Sequence, residues 1–514
     1  MIHIQYEFAV FRECKNKKTE ITVVPVIHLI RQEYHFAGKT SQLRFFSINL
    51  RIPKIRLRYF TTLAIIDQVR QTSVYFCITV NPICFAMIVG QYLCYRVLRV
   101  TWDIIQNIFW SYTGTIRHIR QCHKPGCSYA SCAQILDGKL RYAVDKLTLT
   151  NRQEEFFGCH QEFVHPKYVL KNEVSFYCAD NKYATFVEAP AGIQVWQSLH
   201  GSFHKPAQFH YAIRYIRMPT WAFNKLADDI GEHPAKVIII EFLPRSGSTL
   251  LCQMFESTGK CVVFSEPSCL SGVEQKGQDL VRYYRSCLRL MCKAVDDMNV
   301  HAYVFKMAPW KAEYRIDIVE AMPNIKFLFL YRDILKCSAS LASISNAVTS
   351  FKMIFLLESI FGKPFRRMLF KWFQKNATVD VSDAVMQIYL MTSNIRLFQA
   401  FLLESVVLKV CYGICEKDNN TPSVKYEHIL ANPSSCLSTI FAFCGLSQDF
   451  VEPALRALKK DSQANSLIGK DQINKNKPFL QVDAQLEDEM ARTAKAMDIP
   501  LLTNGKVMFN TITR

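Results

Sequence analysis

From residue 235 onward, short apolar runs alternate with longer amphipathic stretches. Val237 to Ile240 are four β-branched residues in succession, and with Phe242 they have the pattern of a parallel strand covered on both faces. Further strands are predicted near 261–265, 302–306 and 325–331. Helices are predicted near 249–258, 278–295, 311–321 and 333–346, with a long helix from about Ser382 to Glu404. Strand and helix in alternation imply an α/β fold, a parallel sheet flanked by helices, with ligands at the carboxyl ends of the strands. The stretch from Asp137 to Pro234 mixes aromatic, histidine and charged residues between turn signals at Pro190, Gly192, Gly201 and Pro206. It reads as a lead-in subdomain that packs on the core and lines an acceptor cleft. Phe351 to Phe373 is apolar and basic together, interrupted by Gly362 and Pro364, which suits a helix pair or a lid.

The first strand runs into a polar turn and a helix start within KVIIIEFLPRSGSTLLCQMF, Lys236 to Phe255. Gly247 lets backbone N–H groups crowd one point. Ser246, Ser248 and Thr249 add hydroxyls where the free amides of a helix converge, and such an end favours an anion. Arg245 contributes a planar fork of donors just before the turn. A nucleoside triphosphatase loop needs a lysine after its last glycine, and none follows Gly247. About ninety residues on, KFLFLYRDILKCSASL, Lys326 to Leu341, repeats the arrangement of apolar strand and polar helix start. Arg332 ends the strand, Asp333 can cap the helix, and Ser340 lies about two turns along it, so Arg332 and Ser340 can hold a second phosphate from two sides.

Together, PRSGSTLL and YRD with a serine eight residues after its arginine resemble the paired 5′-phosphosulfate and 3′-phosphate motifs of the sulfotransferases. VKYEHILANPSSCLSTIFAFCGL, Val424 to Leu446, is similar to that family's late strand, turn and helix. The resemblance covers roughly 235–470. It implies a P-loop-like fold and 3′-phosphoadenosine 5′-phosphosulfate as donor, with Arg245, Ser246, Gly247, Ser248 and Thr249 at the 5′ end and Arg332 and Ser340 at the 3′-phosphate. No metal is required. In the family, a polar tail such as Asp461 to Pro478, with Gly469 and Lys470, often closes over the donor. The implied reaction moves a sulfuryl group to an acceptor hydroxyl on a glycan, protein or small molecule. The alternatives are a phosphotransferase of the same broad fold and a nucleotide-binding protein without turnover.

Two residues after the second and third strands suit the chemistry. Glu266, in VVFSEP, stands where a carboxylate can take a hydroxyl proton. Lys306, in YVFKMAPW, can bind sulfuryl oxygens, as Arg245 can offset charge on the oxygen that separates from sulfur. Cytosolic small-molecule members of the family carry a histidine two residues after that lysine, and this chain has Ala308. The resemblance therefore shifts toward Golgi-type members with a glutamate base.

Composition adds location and partners. The 514 residues allow several segments: a basic 1–70, a candidate anchor 71–95, a stem and lead-in 96–234, a catalytic domain 235–480 and a tail 481–514. The balance of 62 Lys+Arg against 44 Asp+Glu gives a net charge of +18, which suits an anionic donor, an acidic acceptor or a membrane surface. No nucleic-acid-binding pattern accompanies it. Gln71 to Tyr95 has no charged residue, enough for about one bilayer crossing. Arginines and a lysine before it outnumber those after it, so a cytoplasmic N-terminus and a lumenal catalytic part follow, as in a single-pass Golgi enzyme. Sequons at Asn376 and Asn419 agree with a lumen. Nineteen cysteines show no disulfide framework, and Cys122, His123, Cys127 and Cys132, with Cys159 and His160, lack the spacing of a zinc site.

Overall fold

The structure is a computed structural model that describes residues 2–15, 18–31 and 82–512, apart from 127, 144–152, 271–276, 296–297, 308–312, 346–348, 377–378, 393, 419, 460–461, 463–481 and 504. Residues 71–81 of the charge-free stretch, Ala308 and the Gly469–Lys470 segment thus lie outside the described residues. The chain divides into two compact units, 1–74 and 75–514. In the first, β1 (Ile2–Lys15) and β2 (Lys18–Arg31) form an antiparallel hairpin with Lys15 opposite Lys18.

The second unit opens with helix α1 (Pro82–Tyr112) and contains two five-stranded sheets. One is antiparallel, built from β3 (Ala133–Arg141), β4 (Phe156–Val164), β5 (Val174–Ala179), β6 (Tyr183–Glu188) and β7 (Arg214–Pro219) in the order β4-β3-β7-β6-β5. The other is parallel, built from β8 (Lys236–Phe242), β9 (Cys261–Ser265), β10 (Ala302–Met307), β11 (Lys326–Tyr331) and β12 (Ser423–Lys425) in the order β12-β11-β8-β10-β9. The parallel sheet flanked by helices is the fold that the alternation predicts. From β8 the chain builds β9 and β10 on one side, then crosses to build β11 and β12 on the other. Strand order thus reverses at β8, the position where open α/β sheets form their ligand crevice.

Side chains of β8 alternate between two cores. Val237 and Ile239 join Phe176, Phe186 and Phe223 from the antiparallel side. Ile238, Ile240 and Phe242 join Leu251, Met254 and Phe255 of helix α2 (Ser248–Glu256), together with Leu437 and Phe441. Helix α3 (Ile334–Ile344) follows β11 and packs along helix α4 (Ile395–Lys417); β12 runs straight into helix α5 (Tyr426–Ala431).

The long helix expected over Ser382 to Glu404 is instead two, Asp383–Met391 and α4. Asn394 divides them, its side chain accepting a hydrogen bond from Leu397 N at 3.3 Å as the cap of the second helix. Phe351 to Phe373 likewise falls into two helices, Thr349–Phe361 and Lys363–Asn376, separated at Gly362 with φ +58°. Helix Ala484–Ala496 packs Leu486, Met490 and Ala494 into the core shared with α4. Beyond it, Ser423 N donates to Asn510 O and Ile512 N to Ser423 O, which covers the outer edge of β12. Among the described residues one helix, α4, is long and apolar enough to cross a membrane, and 67% of its most apolar window is buried inside the protein.

Candidate functional site

The carboxyl ends of all five parallel strands meet on one edge, and each delivers a polar side chain there. After β8 the chain turns through Pro244 and Arg245, which has φ +65°, to Gly247 at φ +89°, the residue before α2. A non-glycine residue at positive φ costs on the order of 1–3 kcal/mol and persists where surrounding contacts fix it. Gly247 is required twice over: a Cβ there would lie 2.3 Å from the Tyr426 ring, so an alanine would have to displace α5. Leu251 N donates to Gly247 O at 3.2 Å at the start of α2. The buried Ser246, Ser248 and Thr249 stand in the turn and first residues of that helix. Ser246 Oγ is wholly buried and has no hydrogen-bond partner among the described residues, which leaves a donor available to a ligand.

Arg245 links this loop to the end of β11. Its Nε donates to Ser340 Oγ at 3.0 Å, and Arg332 Nη1 donates to Arg245 O at 3.4 Å. The two motifs, 95 residues apart along the chain at this contact, therefore form one cluster. Ser340 is held by Arg245 rather than by Arg332, a pairing the sequence does not suggest. Arg332 lies over the Tyr426 ring at 4.9 Å, with Glu427 Oε1 3.9 Å from its Nε. Burial pulls the Arg245 guanidinium below its ordinary value; Arg332 adds to this, while Cys337, Glu266 and Glu404 act against it. Asp333 caps α3 as expected, accepting from Leu335 N and Lys336 N.

The other cluster stands on the β9 and β10 side. Glu266, at φ +56°, turns the chain sharply at the end of β9, and its N donates to Lys306 O at 3.1 Å. Its carboxylate pairs with Lys306 Nζ at 2.7 Å, and the same ammonium donates to Thr249 Oγ1 at 3.1 Å. The Lys306 side chain is only 2% exposed and lies 4.8 Å from the Phe242 ring and 5.0 Å from that of Phe203. Removing one partner of so buried a pair costs about 3–5 kcal/mol, because the other charge is left uncompensated. Glu266 is therefore an ion-pair partner and not a helix cap.

Two groups escaped the sequence reading. Tyr426 closes the loop from below and carries Arg332 on its face, and its only signal was its place in the YEH turn. Glu404, in the apolar run of α4, is fully buried with no hydrogen-bond partner on either oxygen among the described residues. Burial holds its carboxyl well above the usual range, with Arg245 as the opposing influence. Nothing in LLESVVLKV marks it as more than a polar interruption.

The remaining candidates lie elsewhere. Cys122 and Cys132 are buried beside Trp221, Cys127 is outside the described residues, and no group of His, Cys, Asp and Glu that could hold a metal ion occurs among the described residues.

No family model matches the chain, and no curated protein matches it. Solved structures similar to it include sulfotransferase STF9 from Mycobacterium avium, 11% identical over 55% of this chain and 81% of that one, with a TM-score of 0.30. The sulfotransferase domain from the curacin biosynthetic pathway is 14% identical over 53% of this chain and 100% of that one, with a TM-score of 0.29. Retinol dehydratase, solved with androsterone and the inactive cofactor PAP, is 13% identical over 55% and 87%, with a TM-score of 0.28. Likeness at that level carries no argument about function, which rests on the geometry above.

Glu404 supplies a pH test. Its native carboxyl keeps a proton that the unfolded chain releases above an ordinary carboxylate pKa, so it lowers stability as pH rises from about 4.5. Glu404→Gln removes that dependence. Melting curves of the variant and the native chain should coincide near pH 4, with the variant gaining in relative stability toward pH 8; a constant offset would mean that Glu404 stays ionised in the fold.

Proposed function

We propose that the protein is a sulfotransferase that moves a sulfuryl group from 3′-phosphoadenosine 5′-phosphosulfate to an acceptor hydroxyl. The observation that carries this reading is the single edge on which Arg245, Arg332 and Ser340 meet next to the Lys306–Glu266 pair. Anion-binding groups thus stand beside a carboxylate able to take a proton. The absence of a lysine after Gly247 separates the loop from that of a nucleoside triphosphatase. The orphaned Ser246 hydroxyl at the start of α2 fits a phosphate.

When bound, the donor supplies the sulfuryl group and departs as the bisphosphate. On the protein side, Ser246, Gly247, Ser248 and Thr249 bind the 5′ end, and Arg332 and Ser340 bind the 3′-phosphate. Arg245 and Lys306 offset the negative charge that builds on the oxygen parting from sulfur. Glu266 accepts the proton of the acceptor hydroxyl, with Lys306 balancing its charge. No metal enters this scheme.

Calorimetry distinguishes the reading from a phosphotransferase: the native chain should bind 3′-phosphoadenosine 5′-phosphate without magnesium and prefer it to ATP with magnesium. Arg332→Ala should weaken that binding more than it slows transfer from the bound state, because the 3′-phosphate is remote from sulfur and its contacts are uniform. Equal affinity in native chain and variant would remove Arg332 from the donor site.

Glu266→Gln should leave donor affinity in place and lower single-turnover transfer by about 10² or more. It should also lower stability, since Lys306 loses its counterion. Glu266→Asp keeps the charge and separates these effects: recovered melting with transfer still impaired supports proton transfer by Glu266, while near-normal transfer by the glutamine variant excludes it.

The charge-free run 71–95 and the excess of basic residues before it support a further part of the proposal, a Golgi membrane enzyme with its catalytic part in the lumen. In intact microsomes residues 100–514 should then resist added protease and carry glycan at Asn376 or Asn419. Complete digestion would favour the cytoplasmic alternative.

A further inference from the structure

Helix α1 is amphipathic in the opposite sense to a helix that faces water. At about 100° per residue, Leu93, Val97, Ile104, Ile108 and Tyr112 fall on one stripe. All are exposed, Val97 and Ile108 each at 66% and Tyr112 at 92%. Exposed Leu98, Ile105 and Phe109 widen the stripe to about half the circumference. The charged residues of the same stretch lie off that stripe, and both arginines reach toward β4 and the residues before it. Arg96 Nη1 meets Glu154 Oε2 at 3.1 Å, Arg99 Nη2 meets Asp103 Oδ1 at 3.0 Å, and Arg99 Nη1 donates to Phe156 O at 2.6 Å. Gln106 Nε2 donates to Gly158 O, also at 2.6 Å. A helix that keeps its ions off one face and presents isoleucine and phenylalanine along about 30 Å of that face needs an apolar medium on that side.

We propose that the outer face of α1, from Leu93 to Tyr112, lies in the surface of an anionic lipid bilayer. Crossing the bilayer is excluded for this part of the helix. Its inner face is hydrogen-bonded to β4 of the antiparallel sheet, an open sheet whose edge and polar groups cannot enter hydrocarbon. The helix therefore lies along the membrane with its apolar half among the acyl chains. Charge selects the lipid. After the Gly114 turn, Arg117, Arg120 and Lys124 are all exposed, and no acidic residue occurs from Ile104 to Leu136. Anionic headgroups match that basic end, whereas a second copy of this chain would present the same cations. Because Pro82–Tyr112 is one helix, the contact continues into the charge-free run that ends at Tyr95 and lays its second half along the same surface, in place of a crossing by residues 71–95. It makes 96–112 part of the membrane-bound surface instead of a stem that holds the domain away from the bilayer, and it does not depend on the enzymatic reading.

The test uses the full chain on phosphatidylcholine vesicles, with and without phosphatidylserine, containing a phospholipid with a photoreactive group in its acyl chain. Mass spectrometry of the cross-linked peptides should place lipid adducts along Val97 to Tyr112, with a yield several-fold higher in the anionic vesicles. The combined substitutions Val97→Glu, Ile104→Glu and Ile108→Glu should abolish those adducts while leaving any in residues 71–91 unchanged. Arg117→Glu with Arg120→Glu should remove the dependence on anionic lipid. Adducts that end before Tyr92 in the native chain would overturn the proposal. So would Val97 to Tyr112 free of lipid adducts in both kinds of vesicle. Because the native adduct map decides by itself, misfolding of a variant would not protect the proposal.

Discussion

Positive charge held partly out of water at the carboxyl edge of the parallel sheet is the constraint that organises the site. Lys306 is almost wholly buried and depends on a 2.7 Å contact with Glu266; Arg245 is pulled below its ordinary pKa by burial and by Arg332 nearby. Cations so placed are costly unless an anion meets them. The protein provides Glu266 for Lys306, whereas Arg245 has a hydroxyl and only distant carboxyls, one of them the protonation-prone Glu404. The shortfall of negative charge around Arg245 is what a phosphorylated ligand would supply.

Backbone strain sits in the same place. Arg245 and Glu266 both adopt positive φ without being glycine, one on each side of the loop, and each is fixed by contacts of its own. Arg245 is tied through its carbonyl to Arg332 and through its side chain to Ser340; Glu266 is tied through its amide and its carboxylate to the same lysine. The strain brings side chains from neighbouring strands to bear on one point, and the rigid sheet beneath them keeps that point fixed.

The antiparallel sheet serves two surfaces. Phe176, Phe186 and Ile216 join the core under the parallel sheet, and Phe203, at the start of the helix after β6, comes within 5.0 Å of Lys306 Nζ. On β4, backbone carbonyls hold the polar side of α1 and so force its apolar side outward. One subdomain therefore borders Lys306 and carries the exposed apolar face of α1.

The sequence by itself determined the parallel sheet, since runs such as VIII and FLFL, bounded by helix starts, bury equally well on both faces and pair with each other in few ways. It also determined the candidate donor groups, because Arg245, Gly247, Arg332 and Ser340 occur at fixed offsets from strand ends. Local pattern carried no such information for the antiparallel sheet, whose half-polar strands are separated by irregular connections. The Arg245–Ser340 bond, the Lys306–Glu266–Thr249 cluster and the stacking of Tyr426 against Gly247 were decided only by tertiary structure. They join residues tens to nearly two hundred positions apart, set by strand order and not by any local preference. The direction in which α1 turns its arginines was decided in the same way: composition marked only the charge-free run that ends at Tyr95, and the contacts with β4 fixed which half of the helix faces out.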